Sequence, residues 1–373
     1  MGGGFIVTTQ RQLSRQWVPM VGGSCDVRMG EDALHSAAKV LRDSVGRPHV
    51  CVVVMRAGED AVLVEDIRRQ VVDAGFEYCL CELQAPLRTL EAASMLCDAL
   101  IESHATADDL CFVVGDADLT SVASFVCGAW CEGMPLVAMP LDEVALLEGA
   151  LVPRSLGVGG ASRMLSVRPA ARHAILDLTR SLSVLEDEAS RHARVLMVGA
   201  AMASSEKEFS ELWDRAADLM ADDGATLCTQ LIATAKARGK LAASTAAAMR
   251  SSLRFGQSFA WALKGMVPDA SFATLLAEGM RFCARISVAQ GKLPLDDMLA
   301  QDELLEMLGI EVLRAHVSAD ELIAAFEAER RKRSRRNMLE VPLAIGRVRL
   351  ATVEDELIEE HVRAWCMSHA PEV

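Results

Sequence analysis

The strongest constraint on the fold is an alternation of short apolar runs with amphipathic segments through the first half of the chain. Residues 49–55 form a continuous apolar run of strand length, and similar runs follow at residues 76–81, 110–114 and 135–139. The segments between these runs have helical periodicity, and helices are predicted at residues 62–74, 90–103 and 121–132. Strands that alternate with helices predict a parallel sheet with crossover helices. We therefore expect an α/β, Rossmann-like domain in this half.

The pattern changes near residue 177, where long helical stretches replace the alternation. Helices are predicted at residues 189–202, 206–221, 225–237, 242–253, 258–264, 270–290 and 295–308. Such a change marks a domain boundary. We expect a Rossmann-like α/β domain at residues 1–178 and a mostly α-helical C-terminal domain at residues 179–373, which includes a short hairpin near residues 338–351. A single domain remains an alternative at this length.

The charge balance limits the classes of partner. The net charge of -14 disfavours nonspecific binding to nucleic acid or to an anionic membrane, because both need a positive field. One basic run departs from this balance and consists of Arg330, Arg331, Lys332, Arg333, Arg335 and Arg336. Such a run is either a solvated helix end or an anion contact. We expect no nucleic-acid partner.

The cysteines and the apolar segments indicate a cytoplasmic protein. The eleven cysteines are odd in number and lack the spacing of a disulfide framework, so they are expected to be reduced thiols. No signal peptide is visible at the first residues. No apolar run reaches the length of about 20 residues that spans a bilayer, and we therefore expect no membrane partner.

Several segments match the motifs of one enzyme family. Residues 253–264 read LRFGQSFAWALK and are similar to the signature LNxGHTxGHAxE. Residues 125–140, FVCGAWCEGMPLVAMP, are similar to a small-residue helix followed by a strand that ends in proline. Thr89, Leu90 and Glu91 lie where a helix begins with Lys-Ser-Leu-Glu. In these motifs and in their order along most of its length, the chain resembles the 3-dehydroquinate synthase family.

The resemblance implies a fold and a chemistry. The family combines an N-terminal Rossmann-like domain with a helical C-terminal domain. Its site uses NAD to oxidise a sugar-phosphate hydroxyl, eliminates phosphate and closes a carbocycle in the shikimate pathway of aromatic amino acid biosynthesis. Zinc or cobalt polarises the substrate oxygens, and lysines and arginines hold its phosphate and carboxylate. Metal-dependent glycerol and alcohol dehydrogenases share this architecture.

The family's metal ligands are replaced in this chain. By the resemblance, the ligand positions fall on Arg194, Gln257, Trp261 and Phe272. Independently of that alignment, no histidine occurs between His192 and His316. Guanidinium, amide, indole and phenyl groups supply neither an anionic nor an imidazole donor. We therefore expect no zinc or cobalt site of the family type.

The family's cofactor loop is also altered. Where the family reads GGGxxGD, residues 115–121 read GDADLTS. Only Gly115 keeps a glycine, and Ser121 replaces the final aspartate. The new aspartates, Asp116 and Asp118, place negative charge where the pyrophosphate would lie. From these changes we expect no cofactor, although the family uses NAD with zinc or cobalt.

Some positions keep a cation where the family binds its substrate. By the resemblance these are Lys236 and Arg250 near the signature, Arg154 in place of a loop lysine, and Arg330 or Arg331 in place of paired lysines. They form either a residual pocket for a small anionic ligand or a set of ordinary surface cations.

Two functional hypotheses follow. The first is a degenerate, non-catalytic 3-dehydroquinate synthase homologue that is retained for binding or assembly, as a homodimer or as a heterodimer with a synthase paralogue. The alternative is a divergent but active synthase that converts 3-deoxy-arabino-heptulosonate 7-phosphate to 3-dehydroquinate. The first requires no substitute for the lost groups, whereas the second requires a substitute for each of them.

Overall fold

The computed structural model describes residues 13–167, 171–332 and 335–371. Arg333 of the basic run therefore lies outside the described residues. The chain packs into two compact units. The sheet unit contains the described residues up to Trp17 together with Ser24–Leu182, and the helical unit contains Val18–Gly23 together with the described residues from Ser183 onward.

The strands follow the chain in eleven segments within the described residues. They are β1 (Ser14–Met20), β2 (Gly23–Gly30), β3 (Val50–Arg56), β4 (Glu77–Leu83), β5 (Leu110–Gly115), β6 (Leu136–Pro140), β7 (Leu156–Val158), β8 (Ala161–Leu165), β9 (His173–Asp177), β10 (Met338–Ala344) and β11 (Arg347–Thr352). Seven of them form one sheet in the order β1-β2-β9-β6-β5-β3-β4, while β7 pairs with β8 and β10 with β11.

The helices are fourteen α-helices within the same described ranges. They are α1 (Ala37–Asp43), α2 (Ala61–Asp73), α3 (Leu90–Glu102), α4 (Ala117–Ala129), α5 (Leu178–Ser181), α6 (Glu188–Ser204), α7 (Glu206–Met220), α8 (Gly224–Ala243), α9 (Ala247–Ser251), α10 (Gln257–Met266), α11 (Phe272–Ala289), α12 (Leu295–Met307), α13 (Ala319–Arg331) and α14 (Asp355–His369). None of the helices described combines the length and apolar character needed to cross a bilayer.

The large sheet is parallel from β2 to β4. The carboxyl ends of these strands therefore lie along one edge. The chain moves outward from β3 to β4 and then returns to the other side of β3 as β5. This reversal creates a topological switch point between β3 and β5, the place where open α/β sheets bind ligands. The α/β prediction for this half is confirmed.

The helix that follows β5 begins earlier than the sequence pattern predicted. A helix was predicted at residues 121–132, but α4 starts at Ala117 because the Asp116 side chain caps its first turn. It ends at Ala129, and Cys131 then adopts a left-handed φ of 48°. The cap places Asp116 at the switch point.

The helical unit has an aromatic core around α10 and α11. The rings of Phe259 and Phe282 stack with centroids 4.1 Å apart, and Phe326 and Trp365 meet Phe259 edge to face. The mostly α-helical prediction for this half is confirmed. One predicted helix is wrong, because residues 242–253 are divided by a break at residues 244–246 between α8 and α9.

Candidate functional site

The switch point of the sheet unit holds an internal ion pair. Arg56, at the end of β3, donates from Nε to Oδ2 of Asp116 at 2.5 Å. The other oxygen of Asp116 accepts hydrogen bonds from the backbone N–H groups of Asp118 and Leu119, both at 2.9 Å. The first turn of α4 therefore already has an anion at its positive end, supplied by the chain itself.

A second charged network extends from α4 to the following loops. Arg154 donates to Asp118 at 2.8 Å and to Glu148 at 2.9 Å, and Arg88 lies 3.1 Å from Asp118. Burial by itself would lower the pKa of Arg154, but Glu148 and Asp118 raise it above its ordinary value. Ser121 contributes its hydroxyl oxygen, which accepts from the Arg154 backbone N–H at 2.9 Å. Arg154 thus has two internal carboxylate partners.

Asp142 is a further titratable group at this edge of the sheet. It follows β6 and accepts a hydrogen bond from the Ala145 backbone N–H at 2.6 Å. Burial raises the pKa of its carboxyl to about 6. Gly149, in the next π-helical turn, packs against α4, since a Cβ there would lie 2.9 Å from the Thr120 Cβ. The sequence pattern gave no sign of the shifted acidity, which arises from burial.

The fit of a dinucleotide to this edge depends on Asp116. A pyrophosphate at a helix N-terminus uses free backbone N–H groups. Two of these groups at α4 are bonded to Asp116, whose charge is balanced by Arg56. A Cβ on Gly115 would lie 2.6 Å from Cδ2 of Leu119, so a larger residue there would have to move that side chain. A pyrophosphate has to displace the Asp116 carboxylate before it can use these donors.

Two of the residues at which the resemblance expects metal ligands pack against each other in the helical unit. Trp261 on α10 and Phe272 on α11 have ring centroids 4.6 Å apart. His192 on α6 meets Phe272 edge to face at 5.4 Å and is buried. These three side chains form an aromatic cluster. His192 is the member that sequence reasoning did not place there.

The other two residues at which the resemblance expects metal ligands, Arg194 and Gln257, lie in different surroundings. The buried guanidinium of Arg194 donates to the backbone oxygen of Leu185 at 2.6 Å and lies 2.8 Å from the Met220 sulfur. Gln257 lines a cavity instead. The four side chains do not fit zinc or cobalt, since none is an imidazole, carboxylate or thiolate. Throughout the described ranges, no group of three or more His, Cys, Asp or Glu residues is placed to hold a metal.

The cavity beside Gln257 contains a buried cation. Its empty volume, including the open mouth, is about 320 Å³. Arg238 and Ser252 line it with Gln257, and Arg238 is only 4% exposed. Apolar side chains from α6 and α11 complete the wall. Sequence reasoning named Lys236 on α8, yet the buried stripe of that helix, with Leu231 and Ala235 at helical spacing, points to Arg238.

The predicted anion-pocket cations have different environments. Arg250 donates to the backbone oxygens of Ser244 and Thr245 at 2.6 and 2.8 Å, which holds the break between α8 and α9. Lys236 is half-buried on α8. Arg330 and Arg331 both lie against Asp355, at 3.1 and 3.4 Å. A substrate role for these residues stays a prediction.

Comparison with known sequences points to one kind of enzyme. No family model matches the chain. A 3-dehydroquinate synthase of Dehalococcoides mccartyi strain CBDB1 is 22% identical over 320 residues, which cover 83% of this chain and 88% of the relative. A 3-dehydroquinate synthase of Microcystis aeruginosa is 21% identical over 290 residues, covering 74% of this chain and 76% of the relative.

Comparison with solved structures identifies the fold. A 2-epi-5-epi-valiolone synthase from Streptomyces hygroscopicus, with NAD+ and Zn2+ bound, has a TM-score of 0.74 at 16% identity over 92% of this chain and 97% of its own. A 2-deoxy-scyllo-inosose synthase complexed with carbaglucose-6-phosphate, NAD+ and Co2+ has a TM-score of 0.75 at 16% identity, covering 94% and 100%. An iron-containing alcohol dehydrogenase reaches 0.63 at 14% identity, covering 94% and 99%.

These structures correct one expectation from the sequence. The altered residues at 115–121 and at the ligand positions led to the prediction that no cofactor is used. That prediction is wrong as a statement about this fold, because one structural neighbour has NAD+ and Zn2+ bound and another has NAD+ and Co2+. The resemblance itself is confirmed: this chain has the dehydroquinate synthase-like fold and is similar in sequence to 3-dehydroquinate synthases over most of its length.

Proposed function

We propose that this chain is a degenerate 3-dehydroquinate synthase homologue that no longer catalyses the family reaction and is retained for binding or assembly. The observation that carries the proposal is the pair of rings, Trp261 and Phe272, packed 4.6 Å apart at positions where the resemblance to the family expects metal ligands. A site that polarises sugar-phosphate oxygens needs a Lewis acid or an equivalent charge close to them.

Loss of turnover does not require loss of NAD+ binding. Hydride transfer from a sugar hydroxyl needs the cofactor and also groups that orient and polarise that hydroxyl. The arginines expected to hold the phosphate and carboxylate of the substrate, Arg154, Arg250, Arg330 and Arg331, are each engaged by internal acceptors. A substrate anion would have to break those contacts before it could bind the arginines, and the free energy lost in doing so weakens binding.

The cavity of the helical unit is a candidate place for a small anionic ligand. Arg238 supplies a buried positive charge, and Gln257 and Ser252 supply polar groups beside apolar walls. Few polar groups among apolar walls are typical of small-molecule sites.

Genetic complementation tests the loss of turnover. The gene, expressed in a strain that lacks 3-dehydroquinate synthase, is expected to give no growth without aromatic supplements, while an intact synthase gene expressed in parallel restores growth. Growth with this gene would reverse the conclusion and support the divergent, active synthase. In that case Lys236→Ala and Arg250→Ala should abolish growth.

Ligand titration tests the binding role separately. Acetate and other small carboxylates are expected to raise the thermal unfolding temperature of the wild-type chain and to have no effect on Arg238→Met, which keeps the apolar length of the side chain. Lys240→Met, at an exposed position of the same helix, is the matched control. An equal response of all three proteins would exclude the cavity as the binding site.

A further inference from the structure

The helical unit has a second cavity, which is lined by residues of α6, α7 and α8. Its empty volume, including the open mouth, is about 240 Å³. Alanines from α6 and α8 supply most of its apolar wall, together with Met197. The polar groups are carried by five residues: Glu208, Glu211 and Arg215 on α7, and Gln230 and Thr234 on α8.

One carboxylate oxygen of Glu208 has no partner within the described residues. This atom, Oε2, is buried and takes part in no hydrogen bond with any of them. The other oxygen, Oε1, lies 4.0 Å from Nζ of Lys240, whose side chain is 62% exposed. A buried polar atom without a partner is uncommon in a native structure, and an absent water, ion or ligand is a common reason for it. A carboxylate only accepts hydrogen bonds, so the missing partner is a donor or a cation.

The neighbouring polar groups on α8 also have acceptor capacity. Thr234 and Gln230 are only 3% and 4% exposed. Oγ1 of Thr234 accepts from Nε2 of Gln230 at 3.2 Å, and Oε1 of Gln230 accepts from Nη1 of Arg215 at 2.9 Å. Hydroxyl and amide oxygens each have two lone pairs. Each of these two oxygens can therefore accept one more hydrogen bond.

The charges on the wall favour a cation over an anion. The cavity is lined by two carboxylates, Glu208 and Glu211, and by one guanidinium, Arg215. Arg215 already donates to Gln230 and lies 3.5 Å from Oε2 of Glu211. An incoming anion would therefore face the Glu208 carboxylate. The alanines favour a cation that carries hydrocarbon, because binding then removes apolar surface from water.

We propose that this cavity binds a short primary aliphatic amine in its protonated form. An alkylammonium group has three N–H donors and no acceptor. It donates to Oε2 of Glu208 and to the side-chain oxygens of Thr234 and Gln230, and the bond to the carboxylate is charge-assisted. The alkyl chain packs against the alanines and Met197. This ligand has the opposite charge to the one that Arg238 favours in the first cavity.

Thermal unfolding of the full-length chain tests the preference for an ammonium group. Propylammonium chloride is expected to raise the unfolding temperature above that in sodium chloride of equal ionic strength, because a ligand of the folded state stabilises it. Tetramethylammonium chloride has no N–H group and should act like sodium chloride. Identical transitions in propylammonium and sodium chloride would overturn the proposal. So would an equal shift with potassium chloride, which would assign the cavity to a metal ion.

Calorimetry of propylammonium binding to variants tests the location. Glu208→Gln keeps the size of the side chain but removes its charge, so the dissociation constant should rise roughly tenfold or more. Glu206→Gln changes an exposed carboxylate in the same first turn of α7 and should bind like the wild type. Ala233→Met fills the cavity without a change of charge and should also weaken binding.

Two results would contradict this location. One is wild-type affinity in Glu208→Gln or Ala233→Met chains that keep a native circular dichroism spectrum. The other is loss of amine binding in Arg238→Met, since that change lies in the first cavity and should leave the amine site intact. Because Arg238→Met tests the carboxylate ligand separately, either cavity can fail its test without the other.

Discussion

Replacing Glu278 with glutamine should destabilise the helical unit more than any comparable surface change. Glu278 is fully buried on α11. Its Oε1 accepts from Arg281 Nη1 at 3.0 Å and from the Leu313 N–H at 3.2 Å. Its Oε2 accepts from Trp365 Nε1 at 3.0 Å and lies 3.1 Å from His369 Nε2. The Glu278 carboxylate therefore bonds α14 and the segment around Leu313 to α11.

The size of the effect follows from the charges that remain. Glutamine keeps the volume of the side chain but leaves the Arg281 guanidinium, 3% exposed, without its anion. Breaking a buried ion pair by removing one partner costs about 3–5 kcal/mol. Glu327→Gln, which removes a half-exposed ion pair with Arg331, is the matched control and should cost no more than about 1 kcal/mol.

The effect should also depend on pH in a defined direction. Burial alone would raise the pKa of Glu278, but the hydrogen bond from His369, the charge of Arg281 and the hydrogen bond from Trp365 together lower it. The unfolded value is about 4.3, so the stabilisation is present above that pH and is lost as the pH falls through the lower folded value. The difference between wild type and Glu278→Gln should therefore be full at neutral pH and shrink in acid.

Urea denaturation at neutral and acid pH measures this difference, and hydrogen exchange of α14 reports whether that helix is released. The reasoning would be refuted by a neutral-pH loss no larger than that of Glu327→Gln. A difference that stays constant into acid would refute the assignment of the effect to the carboxylate charge.

Two further predictions concern close packing and the cofactor. A Cβ at Gly279 would lie 2.0 Å from the Gly256 oxygen, so Gly279→Ala should lower the free energy of unfolding by about 3 kcal/mol. The control Gly265→Ala meets open space on α10, so a denaturation curve should show an unchanged or higher free energy of unfolding. Asp116→Ala frees two N–H groups and the Arg56 guanidinium, so NAD+ affinity measured by calorimetry should rise roughly tenfold. Asp60→Ala, which removes the cap of α2 instead, should leave the NAD+ affinity unchanged. Weaker NAD+ binding by Asp116→Ala would contradict the role assigned to the Asp116 carboxylate.

The sequence predicted the buried strands β3, β5 and β6, but it missed the buried strand β9 and the polar strands β1 and β2. The interior strands β3, β5 and β6 are covered on both faces, so they appear as continuous apolar runs. The strands β1 and β2 were missed because they mix charged and apolar residues, for example Arg15 and Asp26, which form a hydrogen-bonded ion pair at 2.8 Å. Periodicity and composition indicate a strand most clearly where both faces are buried, because its side chains are then all apolar.

The sequence predicted which residues to examine at the candidate site, but not the partners that their side chains contact. The resemblance led to Trp261 and Phe272, which the structure brings together. It gave no reason to expect that Arg154 would bind Asp118 and Glu148, since one of these carboxylates is far away in sequence. The family's residue spacing also pointed to Lys236 and not to Arg238. Spacing gives the position along the chain, but it does not show which face of the helix is buried.

The charges at this edge of the sheet unit are paired within the chain. Three arginines, Arg56, Arg88 and Arg154, contact three carboxylates, Asp116, Asp118 and Glu148, and Asp142 lies at the same edge. Removing Asp116 leaves Arg56 without this partner, whereas Arg154 and Asp118 each contact two opposite charges. An incoming anion gains an arginine only by displacing a carboxylate. Ligand affinity at this edge is therefore set by how easily Asp116 leaves Arg56 and the N-terminus of α4, more than by the number of cations present.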